Sequence, residues 1–342
     1  MSEADSHAAT LSPSVQMMQL IWPGALVVQA VHVAAKLGIP DLVSKGPQTA
    51  EELAEAAKAH GPSLRRILRA LASLGVFAEA ADGRFEHTAL SETLRSDHPQ
   101  SVRPWALLLG APLVWKPWEE LYESVISGTG AFRRIHGQPF FEYLTSHPED
   151  AAIFHGAMTS GSGSRLPAVL AAYDFSTFER LVDVGGGHGA LLRGILSASA
   201  KTRAVLYDLP EVVAGAESLR AAEVAARCEI VGGDFFESVP AGGDGYILSR
   251  IIHDWNDERA LKILQNCRRT IRPDGRLLLI EGVVTPPNEP DSNKFLDVWF
   301  IGGGGQERNE AEFRALLAQA GFELKRVIAT ASSTAIIESR PI

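Results

Sequence analysis

Residues 181–190 read LVDVGGGHGA, with four glycines in five positions directly behind an apolar pair and an aspartate. Glycine costs conformational entropy wherever the chain must be fixed, so a cluster of this density needs a reason. A tight turn from strand to helix accounts for one or two of them. The remainder point to a ligand lying against bare backbone.

The surroundings of this loop decide the fold. From about residue 178 short β-rich runs alternate with helical ones: RLVDV, RAVLYDL, CEIVGGDFF, GYILSRIIH and GRLLLIEGVV enclose LLRGILSAS, EVVAGAESLRAAE and ERALKILQNCRRTI. That rhythm predicts βαβ units, hence a parallel sheet covered by helices on both faces. The fold class expected is α/β, a Rossmann-like doubly wound sheet, with ELKRVIATASSTAIIESR adding an antiparallel pair at its edge. Ligands of such sheets bind beyond the carboxyl ends of the strands, where the glycines fall.

The first half reads differently. ALVVQAVHVAAKLGIPDLV (25–43) keeps an apolar stripe at helical spacing, and TAEELAEAA opens with a capping box from Thr49 to Glu52. An amphipathic stretch at 63–77 and a turn with a short strand at 80–88 complete a winged-helix outline. Winged helices often bind DNA, but residues 51–100 carry eight acids against six bases, and the whole chain has a net charge of −9. Neither suits a phosphate backbone, so no nucleic-acid partner is expected. Residues 101–165 stay helical and are rich in aromatic side chains. The organisation expected is therefore a winged-helix-like domain over 1–100, a helical linking region over 101–165 whose aromatic residues could line a pocket, and a ligand-binding α/β domain over 166–342.

No apolar run reaches the ~18 residues of a spanning helix, so no membrane partner is expected. The polar opening MSEADSHAATLSPS is not a signal peptide, and Cys228 and Cys267 fit a reducing compartment, the cytoplasm.

Two ligands suit the loop. Gly185, Gly187 and Ala190 satisfy G-x-G-x-x-A loosely, with Asp208 as the acid ~20 residues on, which leaves an NAD(P)-dependent oxidoreductase as an alternative. Asp183, two residues before the first glycine, suits S-adenosylmethionine better, because an acid there can manage a cationic ligand.

LVDVGGGHG, YDLPEVV, GGDFFESVP, RIIHDWNDERALKIL, IRPDGRLLLIE and GGQERNEAEFRALLAQAGF occur in this order at close spacing. Together they resemble the plant caffeic-acid-type O-methyltransferases and their bacterial relatives in antibiotic and pigment biosynthesis, over nearly the whole chain. The stretch AAKLGIPDLV…LRRILRALASLGVF resembles that family's winged-helix dimerisation domain, which implies a homodimer whose N-terminal helices interlock and help close the partner's pocket.

The resemblance implies dimerisation through residues 1–100, catalysis in residues 166–342, S-adenosyl-L-methionine as cofactor and no metal. It places Gly185 under the methionine part, Asp208 on the ribose hydroxyls, and Asp234 and Phe235 at the adenine. Ser249 stands where many plant members carry lysine, and Met158 and Ser162 match positions that touch the cofactor. His253 would take the proton of the acceptor hydroxyl, a task suited to imidazole at neutral pH, with Glu281 and Glu307 flanking it. Trp299, Phe300 and Asp254 would meet the substrate, a small hydroxylated aromatic or polyketide-type metabolite. Some relatives keep the cofactor site yet hydroxylate or decarboxylate, a second alternative for this chain.

Overall fold

The structure, a computed structural model, describes residues 12–220 and 222–342. Most of the polar opening, MSEADSHAATL, lies outside the described residues. Contacts divide the chain into two compact units. One comprises the chain up to Trp115 with Glu149–Ser160, the other Lys116–Pro148 and Gly161–Ile342. Residues 101–165, read from sequence as one linking region, are thus shared between the two, and helix Pro148–Ala172 belongs partly to each.

The first unit opens with helix α1, Pro13–Lys36, longer than the stripe at 25–43 and continuous through Pro23. It stops at Gly38, whose φ of +68° is left-handed. Three short strands, β1 (Gln48–Thr49), β2 (Phe77–Glu79) and β3 (Arg84–His87), pair antiparallel in the order β1-β3-β2. The capping box is present: Thr49 Oγ1 accepts from Glu52 N at 3.2 Å, and Glu52 Oε2 from Thr49 N at 2.8 Å. Helix Gly61–Ser73 turns Leu64, Leu68 and Leu71 inward onto Leu53, Phe77 and Phe85. This is the helix, helix and wing expected.

Contrary to the sequence reading, α1 is long and apolar enough to cross a membrane by length and composition, and it is largely unburied. Val15, Met17, Met18, Leu20, Ile21, Trp22 and Leu26 are all exposed. The polar residues Gln16, Gln19 and Gln29 interrupt the apolar run in sequence without removing the helix's overall apolar character.

In the second unit seven strands form one sheet in the order β6-β5-β4-β7-β8-β10-β9. They are β4 (Arg180–Val184), β5 (Arg203–Asp208), β6 (Cys228–Gly232), β7 (Gly245–Ser249), β8 (Arg276–Glu281), β9 (Phe322–Ala329) and β10 (Ala335–Pro341). The first five run parallel; β10 is antiparallel to both neighbours and lies inside, between β8 and β9. The expected antiparallel pair exists, with β9 at the edge.

Successive side chains of a strand point to opposite faces, and the two cores follow that period. Val182, Val184, Val205 and Leu277 face Ile263, Leu264, Phe313 and Leu317 of helices Asp257–Thr270 and Glu310–Gln319. Leu181, Leu206 and Leu278 face Leu192, Ile195 and Leu196 of helix Ala190–Ala198. Asp183 shares that second face and is 1% exposed, with neither carboxylate oxygen hydrogen-bonded. Burial first, then the charge of Asp208, pushes its carboxyl up to about 7.

Between about pH 4 and pH 7 the unfolded chain has released the Asp183 proton while the folded chain still holds it, so this group makes stability fall as pH rises. Asp183→Asn should flatten that dependence: across this range the variant should gain stability relative to wild type in urea unfolding. A difference independent of pH would show that Asp183 is already ionised at the lower end.

Candidate functional site

The glycine loop joins β4 to helix Ala190–Ala198 at the carboxyl edge of the sheet. Gly185, Gly187 and Gly189 have φ of +72°, +59° and +78°, which other residues adopt only with strain. A Cβ on Gly186 would lie 2.6 Å from Asp183 Oδ2. Nothing stands within 4 Å of where a Cβ of Gly187 would be, so its backbone faces open space. The loop is both a turn and a cradle.

Asp208 ends β5 beside it. Its Oδ2 accepts from Gly187 N at 2.8 Å and its Oδ1 from Leu209 N at 2.7 Å. Burial raises its carboxyl above the usual range against the pull of these amides. Asp234 Oδ1 accepts from Phe236 N at 2.8 Å, which tightens the turn after β6. The Phe235 ring lies 3.5 Å from the position a Cβ on Gly185 would take. Ser249 ends β7. An acid at the second strand's end, an open glycine backbone and an aromatic ring suit a nucleoside with a charged tail, and they fit the cofactor the sequence implied. Ser162 is exposed on helix Pro148–Ala172, and Met158 lies on the same helix in the first unit.

His253 was expected at the end of the fourth strand of this sheet. It sits four residues beyond it, in a single 3-10 turn, Ile252–Asp254. The ring is buried, with Nδ1 3.0 Å from Glu307 Oε1 and Nε2 3.4 Å from Asp254 Oδ1. Phe300 meets it edge to face at 4.8 Å between centroids. Burial lowers the imidazole's affinity for a proton, yet Asp254, Glu281 and Glu307 together outweigh it and raise the pKa above 6.5. Glu307 is held below the usual carboxylate range: its own burial opposes this, but the His253 hydrogen bond and the Arg250 charge prevail. An ionised Glu307 only accepts, so Nδ1 carries the hydrogen and the lone pair of the neutral ring is on Nε2.

Glu281, expected next to His253, contributes its charge there but spends its hydrogen bonds elsewhere. Its Oε1 accepts from Ile251 N at 3.0 Å and Ile252 N at 2.8 Å, which fixes the loop leading into the turn. Burial raises its carboxyl above the usual range. Asp254 is likewise raised by burial.

Trp299 and Phe300 end helix Ser292–Phe300, and Trp299 packs edge-on against Trp118 at 5.5 Å. Phe141 lies 5.9 Å from Trp255, so the aromatic segment 116–148 borders the turn that carries His253.

Sequence reasoning passed over Arg308. It is 1% exposed, donates to Ile252 O (3.2 Å) and Trp255 O (2.9 Å), and pairs with Asp257 Oδ1 at 2.7 Å. These bonds clamp both ends of the histidine turn. Its only sequence signal was its place beside Glu307 in GQER.

The geometry agrees with what comparisons show. Residues 118–323 match the family model of the O-methyltransferase domain, and residues 20–97 that of the O-methyltransferase dimerisation domain. The chain is 43% identical to a phenazine O-methyltransferase of Lysobacter antibioticus, over 99% of both chains. It is 40% identical to a mitomycin biosynthesis 6-O-methyltransferase of Streptomyces lavendulae, over 90% of this chain and 88% of the relative. An O-methyltransferase from neocarzinostatin biosynthesis, solved with S-adenosylmethionine and 2-hydroxy-5-methyl naphthoic acid, superposes with a TM-score of 0.80 at 33% identity, over 92% and 96% of the two chains. The chain belongs to the O-methyltransferase family that joins a dimerisation domain to a methyltransferase domain, and it is an S-adenosylmethionine-dependent enzyme.

Proposed function

We propose that the enzyme methylates a phenolic hydroxyl of a small aromatic natural-product intermediate, with His253 as general base. The observation that carries this reading is the buried imidazole whose Nδ1 is held by Glu307, leaving the Nε2 lone pair for an acceptor hydroxyl. Bound S-adenosylmethionine supplies an electrophilic methyl group on its sulfonium. Gly185 and the open backbone at Gly187 would accommodate it, Asp208 would accept from the ribose hydroxyls, and Asp234, Phe235 and Ser249 would border the rest, with Ser162 contributing from the long helix.

His253 Nε2 takes the hydroxyl proton as the oxygen attacks. The imidazolium so formed is stabilised by Glu307 on one side and Asp254 on the other. Trp299 and Phe300 supply an apolar wall for a flat acceptor, a reading that the aromatic substrates in the relatives' names support.

The working form is a homodimer in the cytoplasm, with the exposed apolar face of α1 covered by a second copy. Cys228 and Cys267 are both free thiols, as that compartment favours. Light scattering at micromolar concentration should give twice the 36.8 kDa of the chain, and paired Leu20→Glu and Ile21→Glu substitutions should lower it toward one copy. A wild-type monomer would refute the dimer.

Asp208→Ala should weaken S-adenosylhomocysteine binding by about 1.5–3 kcal/mol, the value of hydrogen bonds to a charged acceptor. Calorimetry reads this directly; unchanged affinity in a folded variant removes Asp208 from the ribose.

Wild-type turnover should rise with pH through an apparent pKa above the ordinary 6.5 of imidazole, because the surrounding carboxylates favour its protonated form. His253→Ala should lower turnover on a weakly acidic phenol by ~10²–10⁴-fold while leaving cofactor affinity in place, and it should lose this limb of the profile. A variant that keeps a sizeable fraction of wild-type turnover means that holding the reactants in line suffices.

A further inference from the structure

Arg250 holds a conformation that side-chain-bearing residues seldom adopt, with φ of +60°. It follows β7 directly, and its N–H donates to Ile280 O at 3.0 Å, so this backbone is fixed against β8. The left-handed turn aims the guanidinium between two carboxylates. Nη2 lies 3.0 Å from Glu307 Oε1, and Nη1 lies 3.8 Å from Glu281 Oε2. Glu307 Oε1 is the same oxygen that accepts from His253 Nδ1. One buried oxygen therefore serves a cation and the imidazole together.

We propose that Arg250 is a positioning residue for the methyl transfer: it shares Glu307 with His253 and balances Glu281, so that the ring is oriented by a carboxylate whose charge a cation partly offsets. This rests on the reading of His253 as the base. The groups facing the imidazole explain why a balancing cation is needed. Asp254 comes from its own turn, Glu281 from β8, and Glu307 from the loop before helix Glu310–Gln319. Asp297 of helix Ser292–Phe300 lies behind Glu307, accepting from its N–H at 2.8 Å. Arg308 bonds Ile252 O, but its charge is met by Asp257. Arg165, on helix Pro148–Ala172, acts on Arg250 and Glu281, and its own guanidinium is lowered to about 10 by burial and then by Arg250. Arg250 alone among these cations pairs directly with the acids that flank the ring.

The strain of a left-handed arginine is consistent with such a constraint. Backbone strain persists where the surrounding contacts over-determine it, and it concentrates at functional sites. A methionine at 250 would meet the same backbone demand and replace the aliphatic stem of the arginine, so the substitution removes the guanidinium and its charge.

The test is the pH profile of turnover on a weakly acidic phenol, for wild type, Arg250→Met and Arg250→Lys, with saturating S-adenosylmethionine. Without the guanidinium the three carboxylates act on the ring unopposed, and the rising limb should move to higher pH by roughly one unit, a tenfold loss of turnover on the acid side. The loss should shrink at high pH, and lysine should recover part of the shift. In parallel, the His253 ring protons in the S-adenosylhomocysteine complex should titrate at higher pH in Arg250→Met than in wild type by NMR. A loss equal at all pH values, with the ring titrating as in wild type, would overturn the proposal. If Arg250→Met does not fold, Arg250→Gln carries the test: glutamine removes the charge while keeping a polar side chain, and an unshifted limb with unchanged turnover would also overturn it. Should His253→Ala retain its turnover, the base reading fails; should His253→Ala lose it while Arg250→Met leaves the profile unmoved, only the role of Arg250 fails.

Discussion

A carboxylate buried away from water must be matched by a charge or by hydrogen-bond donors, and Glu307 meets this demand with two partners on one oxygen. The rest of the site is arranged around that oxygen. His253 can be held in one tautomer only because Glu307 stays ionised, and Glu307 stays ionised only because Arg250 and the imidazole are at hand. The backbone contributes as much as the side chains. Glu281 fastens the amides of Ile251 and Ile252, and Arg308 fastens the carbonyls of Ile252 and Trp255. The ring is thus carried on a short turn gripped from both sides, which is how a loop can hold a reactive group as firmly as a strand would.

Local signals made much of the fold legible. The alternation of short β-rich runs with helical ones, the capping box at Thr49 and the glycines behind Asp183 each depend on neighbours in sequence, and each corresponds to what the structure contains. The site residues that sequence reasoning grouped around His253 come together in the second unit, with Glu307 in direct contact. What could not be read has a common cause. Arg250 sits unremarked inside the run GYILSRIIH and Arg308 in GGQER, because their meaning lies in partners 57 and 51 positions away. The division of labour between Glu281 and Glu307 was hidden for the same reason. Both are glutamates near a histidine in space, and only the register of β7 on β8, with Ser249 opposite Ile280, turns Glu281 onto the loop amides.

Three glutamines among the 24 residues of α1 leave it apolar on average, and its exposed methionine, leucine, isoleucine and tryptophan side chains lie along its N-terminal part. The family's dimerisation model begins at residue 20, within this helix.

The place of β10 bears on how the enzyme is made. It is the last of the seven strands to leave the ribosome, yet it lies inside the sheet, paired on one side with β8 and on the other with β9. Until residues 335–341 have emerged, β8 is an edge strand with one side of its backbone unpaired, and β9 has no strand to join. Exposed edges of this kind invite pairing with other chains. The turn that carries His253 depends on β8 through Glu281, so the nascent protein cannot complete this part of its sheet early. Synthesis imposes an interval in which the glycine loop and the first strands are already available while the sheet that supports the histidine is still open, and a stalled or shortened product would be a candidate for aggregation or degradation rather than a weaker enzyme.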